Sequence, residues 1–146
     1  MGLWRRHLRM ALGAALLVAG LARGDAVPAP YGASVTFLKG IARVQAAGRK
    51  EYANLALGKT LAEGDTLVTL DNARLELKLE NGTVIRLGAN SNFVLHTLQR
   101  TASGGVKGIF RAAKGRLWFT VAKLTGDSEL RTQTPTVVAA VKGTVW

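Results

Sequence analysis

Cysteine is absent from this chain, and histidine is nearly absent. Without cysteine there is no disulfide, no thiolate ligand for a metal, no lipid anchor on a thiol and no thiol nucleophile. The sequence contains 2 histidines, and only His96 lies outside the N-terminal segment. His96 follows an apolar residue in a run typical of a half-buried strand. A lone histidine completes neither a metal site nor a nucleophile–base pair.

The acidic residues and the glycine-rich segments do not supply catalytic chemistry either. Glu76 and Glu80 share one face of a predicted strand that also carries basic residues, which is typical of a solvated, charge-balanced face. No glycine-rich segment continues into the Gly-Lys-Ser/Thr of a phosphate-binding loop. We therefore expect a protein that is not an enzyme, with no catalytic residue, no cofactor and no metal.

The N-terminal segment has the pattern of a secretory signal peptide. Basic residues precede an uncharged apolar run over residues 10–22, and small residues follow it. A membrane span needs about 20 apolar residues, and Arg9 and Arg23 bracket a shorter run. Cleavage fits after Gly24 or after Ala26. We expect residues 1–24 or 1–26 to be removed, residues 25–33 to form a flexible leader, and an exported protein, periplasmic or secreted, with no transmembrane segment after cleavage.

Acidic residues are also few: the sequence has 9 acidic and 20 basic residues, which gives a formal net charge of +11. Removal of residues 1–24 takes four arginines and leaves +7. Such a surface attracts an acidic protein or an anionic polysaccharide, whereas an exported protein seldom meets nucleic acid. Trp118 is expected to pack into the core, although it would stack on sugar rings if it were exposed. The predicted interaction surface consists of Arg111, Lys114, Arg116, Trp118 and Lys123.

The mature chain alternates between apolar and polar residues with the period of a strand. Ala33, Val35 and Phe37 share one face, and the leucines of residues 75–79 form the cleanest half-buried strand. Asn81-Gly82 then predicts a hairpin with a type I′ turn. Strand patterns recur about every 8–12 residues, and no segment has a convincing helical pattern. We expect an all-β fold, a β-sandwich or β-roll of short strands and hairpins.

Several short motifs resemble the FecR domain over residues 34–146. They are residues 61–69 (LAEGDTLVT), 73–77 (ARLEL), 80–83 (ENGT), 85–87 (IRL), 90–91 (NS), 114–119 (KGRLWF) and 132–144 (TQTPTVVAAVKGT). Tight turns and strand entries explain most of these residues physically. The expected scaffold residues are Gly64, Asp65, Thr69, Asn81, Gly82, Thr134, Pro135, Gly143 and Thr144.

The resemblance implies a module that binds another envelope protein in sensing or assembly, through an edge strand or the basic face. A polysaccharide-binding module that uses a basic, aromatic-containing face is the alternative. FecR regulators carry a cytoplasmic anti-sigma segment and a transmembrane helix before this domain, where this chain has the signal pattern. The resemblance is therefore to a stand-alone FecR domain, and a signal to a sigma factor is left open. In the family, the pair that corresponds to Gly143-Thr144 leads into another strand. This sequence ends shortly after the pair, as a fragment would.

Overall fold

The computed structural model describes residues 30–142. The expected signal peptide, most of the expected leader, Gly143 and Thr144 lie outside the described residues. Residues 30–142 contain twelve strands and no helix, so the all-β prediction is confirmed. None of these residues belongs to a helix long and apolar enough to cross a membrane. The strands are β1 Ala33–Lys39, β2 Ala42–Gln45, β3 Ala53–Asn54, β4 Thr60–Leu61, β5 Thr66–Thr69, β6 Arg74–Leu79, β7 Val84–Leu87, β8 Asn92–Arg100, β9 Val106–Lys114, β10 Leu117–Thr120, β11 Glu129–Gln133 and β12 Val138–Lys142.

The strands form two sheets that pack as a β-sandwich. The smaller sheet has the order β10-β7-β6-β1-β4, and the larger sheet has the order β12-β11-β9-β8-β5-β2-β3. Neighbours pair antiparallel except for β9 and β11, which are parallel. The chain leaves the larger sheet after β9, forms β10 at the edge of the smaller sheet, and returns as β11. This crossover through the second sheet makes the parallel pair possible.

The core lies between the sheets and is built from the inward residues of each strand. Leu75, Leu77 and Leu79 of β6 are buried, as their alternation predicts. From the larger sheet, Phe93 and Phe110 stack with ring centroids 5.6 Å apart. Full burial of each such side chain contributes about 1.5–3 kcal/mol, and a stacked aromatic pair adds about 0.5–1.5 kcal/mol.

The turn between β6 and β7 differs from the predicted type I′ turn. Leu79 N–H donates to the Thr83 carbonyl (2.8 Å), and Gly82 N–H donates to the Leu79 carbonyl (2.9 Å). Only Gly82 of this turn has a positive φ, +92°. The loop therefore has one more residue than predicted. The extra residue sets Leu77 opposite Ile85, so that both are buried, whereas a register one residue away would bring an arginine to the core.

A β-bulge in β1 reverses the predicted orientation of Phe37. Strict alternation puts Phe37 on the core face with Ala33 and Val35. The register shifts between Val35 and Phe37, which leaves Thr36 as the extra residue. Beyond the bulge Leu38 packs against the core, while Phe37 is 48% exposed on the outer face.

Part of the expected leader belongs to the packed domain. Pro30 forms a bridge with Gln99, and Tyr31 is buried against the core. The Arg100 guanidinium lies 5.1 Å from the centre of the Tyr31 ring and also pairs with Glu80. Burial raises the pKa of the Tyr31 phenol, with the Glu80 charge acting in the same direction. Pro30 and Tyr31 are thus part of the packed domain, and Tyr31 contributes to its core.

Candidate functional site

The outer face of the smaller sheet carries a broad groove flanked by aromatic side chains. Strands β10, β7, β6 and β1 form its floor, and its volume is about 1350 Å³. Pockets for small molecules measure about 300–1,000 Å³. The groove is thus larger than most sites for a single small ligand. We call it the outer-face groove.

One row of side chains crosses the outer-face groove from edge to edge. Trp118 of β10 pairs with Arg86 of β7, Arg86 pairs with Glu76 of β6, and Glu76 pairs with Phe37 of β1. Trp118 is 54% exposed, so the expectation that it packs into the core is wrong. Strands lie about 4.7–4.9 Å apart, which puts about 14 Å between the first and last strand of the row. The groove therefore has an exposed aromatic ring at each end and an ion pair in the middle.

The ion pair in the middle of the row is well ordered by hydrogen bonds. Arg86 Nε lies 2.9 Å from Glu76 Oε2, and Thr36, the bulge residue, donates its hydroxyl to Glu76 Oε1 at 3.0 Å. The hydrogen bond from Arg86 holds the pKa of Glu76 below its ordinary value, and the bond from Thr36 acts in the same direction. Arg86 and Thr36 therefore both hold the Glu76 carboxylate in place.

Three further cations line the outer-face groove without an acidic partner. Lys39 and Arg74 are directly paired across β1 and β6, and Arg116 precedes β10. Among residues 30–142 none of the three forms a salt bridge. Like charges opposite each other on neighbouring strands are destabilising. The groove therefore has a surplus of positive charge that the described part of the protein does not balance.

Buried polar groups hold the backbone at one end of the groove. The Thr69 hydroxyl donates to the Gly88 carbonyl (2.6 Å) and accepts from Ser91 N–H (2.9 Å). The Ser91 hydroxyl donates to the same carbonyl (2.9 Å) and accepts from Arg116 N–H (3.2 Å). The Trp118 ring lies close to Gly88: a Cβ added to this glycine would be 3.5 Å from the nearest ring atom. Thr69 and Ser91 thus position the backbone on which Trp118 and Arg116 are carried.

The structure brings together only part of the predicted interaction surface. Arg116 and Trp118 line the outer-face groove. Arg111 is exposed on β9 of the larger sheet, where its Nε donates to the Gln133 side chain (3.2 Å), and Lys114 is exposed at the end of that strand. Lys123 is exposed in the segment after β10. The groove residues that sequence reasoning missed are Phe37, Lys39, Arg74 and Arg86.

Most of the expected scaffold residues lie in turns or in buried hydrogen bonds. Gly64 has φ of +90°, and the buried Asp65 accepts from the backbone N–H groups of Ala47 (3.1 Å) and Ala62 (3.0 Å). Asn81 accepts from Thr83 N–H (3.0 Å) in the β6–β7 turn, beside Gly82. Thr134 and Pro135 lie in the turn between β11 and β12.

The side chains that commonly bind metals are dispersed over the described residues. No group of three or more histidine, aspartate or glutamate side chains within residues 30–142 is arranged to hold a metal ion. His96 lies on the exposed face of the half-buried strand β8, and its Nδ1 is 3.1 Å from the Thr97 hydroxyl. Phe93 and Leu95 are buried, so alternation along β8 already places His96 on the outer face, and the register shift between Leu95 and Thr97 returns Leu98 to the core.

A second distinctive surface is the edge strand β12. Thr134 N–H donates to the Val137 carbonyl (2.8 Å), closing a turn over Pro135 and Thr136. Every residue of β12 is exposed, with Val138 64% exposed. The strand is apolar until Lys142 and ends the order of the larger sheet. Exposed apolar edges of this kind are sites where another strand pairs.

Comparison with known proteins identifies one family. The family model described as FecR protein matches residues 65–146, more than half of the chain. The resemblance of the sequence motifs is thereby confirmed. The match contains the groove residues of β6, β7 and β10 and the edge strand β12, whereas Phe37 and Lys39 precede it. No curated protein and no solved structure matches the chain.

Proposed function

The chain belongs to the FecR protein family, and from that premise we propose that it is an exported interaction module that binds another envelope protein in sensing or assembly. FecR proteins are a regulatory and signalling family associated with the cell envelope. The signal-peptide pattern of residues 1–26 supports a place outside the cytoplasm. The scarcity of catalytic groups in the sequence supports binding rather than turnover.

The observation that carries this proposal is the exposed edge of β12. Thr134 and Val137 form a hydrogen-bonded pair, and hydrogen-bonded pairs alternate along an antiparallel ladder. The backbone groups of Val138 and Ala140 therefore point away from β11, toward the free edge. Another strand satisfies such groups by extending the sheet, and the exposed valines add apolar contact area. The partner is thus a protein that presents an extended segment.

Site-specific photo-crosslinking in the native envelope tests this proposal. A photoreactive residue replaces Ala140 in the full chain, and the crosslinked peptides are identified by mass spectrometry. We expect one defined protein, joined through an extended segment, and loss of the adduct when Val138→Lys adds a charge to the edge. Leu57→Lys is the matched control, because Leu57 is 66% exposed and lies outside any strand. Adducts to a second copy of the chain, or adducts insensitive to Val138→Lys, contradict the proposal.

A polysaccharide-binding function is the second candidate, and the exposure of Trp118 favours it. An aromatic ring that is 54% exposed on a sheet face is available for stacking on a sugar ring. Arg116 beside it keeps this face basic. This candidate uses the smaller sheet, so it is compatible with a protein partner on β12 of the larger sheet.

A further inference from the structure

We propose that the outer-face groove binds an acidic polysaccharide, a chain of sugar rings that carry carboxylate groups. This inference rests on the second candidate function and names its site and its ligand chemistry. It is independent of the edge strand β12.

The aromatic residues at the two ends of the groove supply the first argument. Phe37 reaches the outer face only because the bulge at Thr36 shifts the register of β1. Without the bulge, Phe37 would be part of the core, where an aromatic side chain is more stabilising. Bulges that re-aim a side chain are frequent beside functional sites. The chain therefore exposes a large apolar ring here, while Leu38 takes the inward position.

The distance between the rings indicates a chain of sugars rather than a single one. Trp118 and Phe37 lie on strands about 14 Å apart, as three interstrand spacings require. One monosaccharide cannot touch both rings, whereas an extended oligosaccharide can. Between the rings the Glu76–Arg86 pair offers a carboxylate acceptor and guanidinium donors to hydroxyl groups. The row thus offers an apolar ring at each end and polar groups between them, which matches the apolar ring faces and the hydroxyl groups of a sugar chain.

The charge of the groove selects an acidic sugar. Lys39 and Arg74 face each other directly, and with Arg116 they form no salt bridge among the described residues. Their repulsion is relieved when carboxylates lie between them. Glu76 is already bound by Arg86 and does not neutralise the three cations. A neutral glycan leaves this repulsion in place, so the charges favour a polyanion.

Two asparagines that line the groove also favour an acidic sugar as its ligand. Asn72 (φ +57°) and Asn90 (φ +54°) are the two non-glycine residues with positive φ in residues 30–142, and both line the groove. Asparagine tolerates this conformation better than most residues. Amide side chains donate and accept hydrogen bonds, which suits the hydroxyl and carboxylate groups of a uronic acid. An acidic peptide would satisfy the cations equally well but would not require a pair of exposed aromatic rings.

Calorimetric titration of the full chain with hexagalacturonate tests the proposal. Maltohexaose serves as the neutral sugar of the same length, and polyglutamate serves as the polyanion without sugar rings. We expect hexagalacturonate to bind and the other two to bind at least about tenfold more weakly. Trp118→Ala should weaken binding about tenfold or more, as for an aromatic anchor. Arg74→Gln should weaken it up to about fivefold at low salt and less at high salt.

Matched variants separate this site from general surface effects. Tyr52→Ala removes an aromatic side chain of similar exposure (46%) outside the groove, and Arg43→Gln removes an exposed cation from β2 of the larger sheet. Both should bind hexagalacturonate as the unchanged chain does. Val138→Lys should also bind it normally, which separates the groove from the protein-binding edge. Thermal unfolding of each variant verifies that the fold is retained.

Each other result overturns the proposal in a distinguishable way. If neither sugar binds, the second candidate function fails as well. If maltohexaose binds as tightly as hexagalacturonate, polysaccharide binding stands and the acidic specificity is wrong. If polyglutamate binds equally and Trp118→Ala has no effect, the groove is a site for an acidic protein. None of these results affects the crosslinking test of β12.

Discussion

Replacement of Thr69 by valine isolates the buried hydrogen bonds that hold the groove. The two side chains have nearly the same shape, so the change removes the hydroxyl with little effect on packing. Ser91 N–H, which is fully buried, loses its acceptor. The Gly88 carbonyl keeps the Ser91 hydroxyl as a donor (2.9 Å), so it is not left unpaired. The penalty therefore comes mainly from one unsatisfied buried N–H, about 1–3 kcal/mol.

Urea and thermal unfolding of the full chain measure this penalty. For a domain of this size about 1 kcal/mol corresponds to roughly 4 °C in Tm, so we expect Tm to fall by about 4–12 °C. The urea midpoint should fall without a change in the slope, because the exposed surface is the same. Thr120→Val is the matched control: Thr120 is exposed on β10, and its replacement should change stability by less than about 0.5 kcal/mol. Equal effects of Thr69→Val and Thr120→Val would refute the reasoning.

Two further changes test the ion pair and the close packing of the groove. Glu76→Gln removes the pair with Arg86 and should cost about 0.2–1 kcal/mol at low salt, less at high salt, in urea unfolding. The pKa of Glu76 is lower in the folded protein than its ordinary value. Its contribution to the free energy of unfolding is therefore complete above the ordinary pKa and is lost as the pH falls through the folded pKa. The Glu76→Gln variant should not show this loss of stability in acid. Gly115→Ala adds a Cβ 2.1 Å from the Ser91 hydroxyl at φ +106°, and should cost roughly 2–5 kcal/mol. Gly48→Ala, at φ +75° with open space around it, should cost only about 1–2 kcal/mol, and equal losses would contradict the packing argument.

The strand content was predictable because one face of each strand is buried. The leucines of β6 alternate cleanly, and Asn81-Gly82 marks the turn that follows them. The type of turn was not predictable from the dipeptide alone, since the burial of Leu77 opposite Ile85 decides the register. The bulge at Thr36 has no local sequence signal either. It is stabilised by contacts with β6, which is distant in sequence.

Only some of the groove residues could be predicted from the sequence, because the others depend on contacts between distant strands. Arg116 and Trp118 were predicted because a basic and an aromatic residue lie close together in the sequence. Arg86 and Phe37 join Trp118 only through the pairing of four strands, and pairing partners cannot be read from a single strand. The separation of Arg111 and Lys114 from Trp118 follows from the crossover between the sheets. A charge cluster that is continuous in sequence is thus divided between two sheets.

Hydrogen exchange of the full chain, with and without the envelope-protein fraction, tests the central claim that β12 is the surface for a protein partner. The amides of Val138 and Ala140 point toward the free edge and should exchange rapidly in the isolated chain. We expect the protein fraction to slow their exchange by tenfold or more, as new interstrand hydrogen bonds form. Amides at the outer-face groove, such as that of Trp118, should not change. Unchanged exchange at Val138 and Ala140, with slowing confined to the groove, would contradict the account.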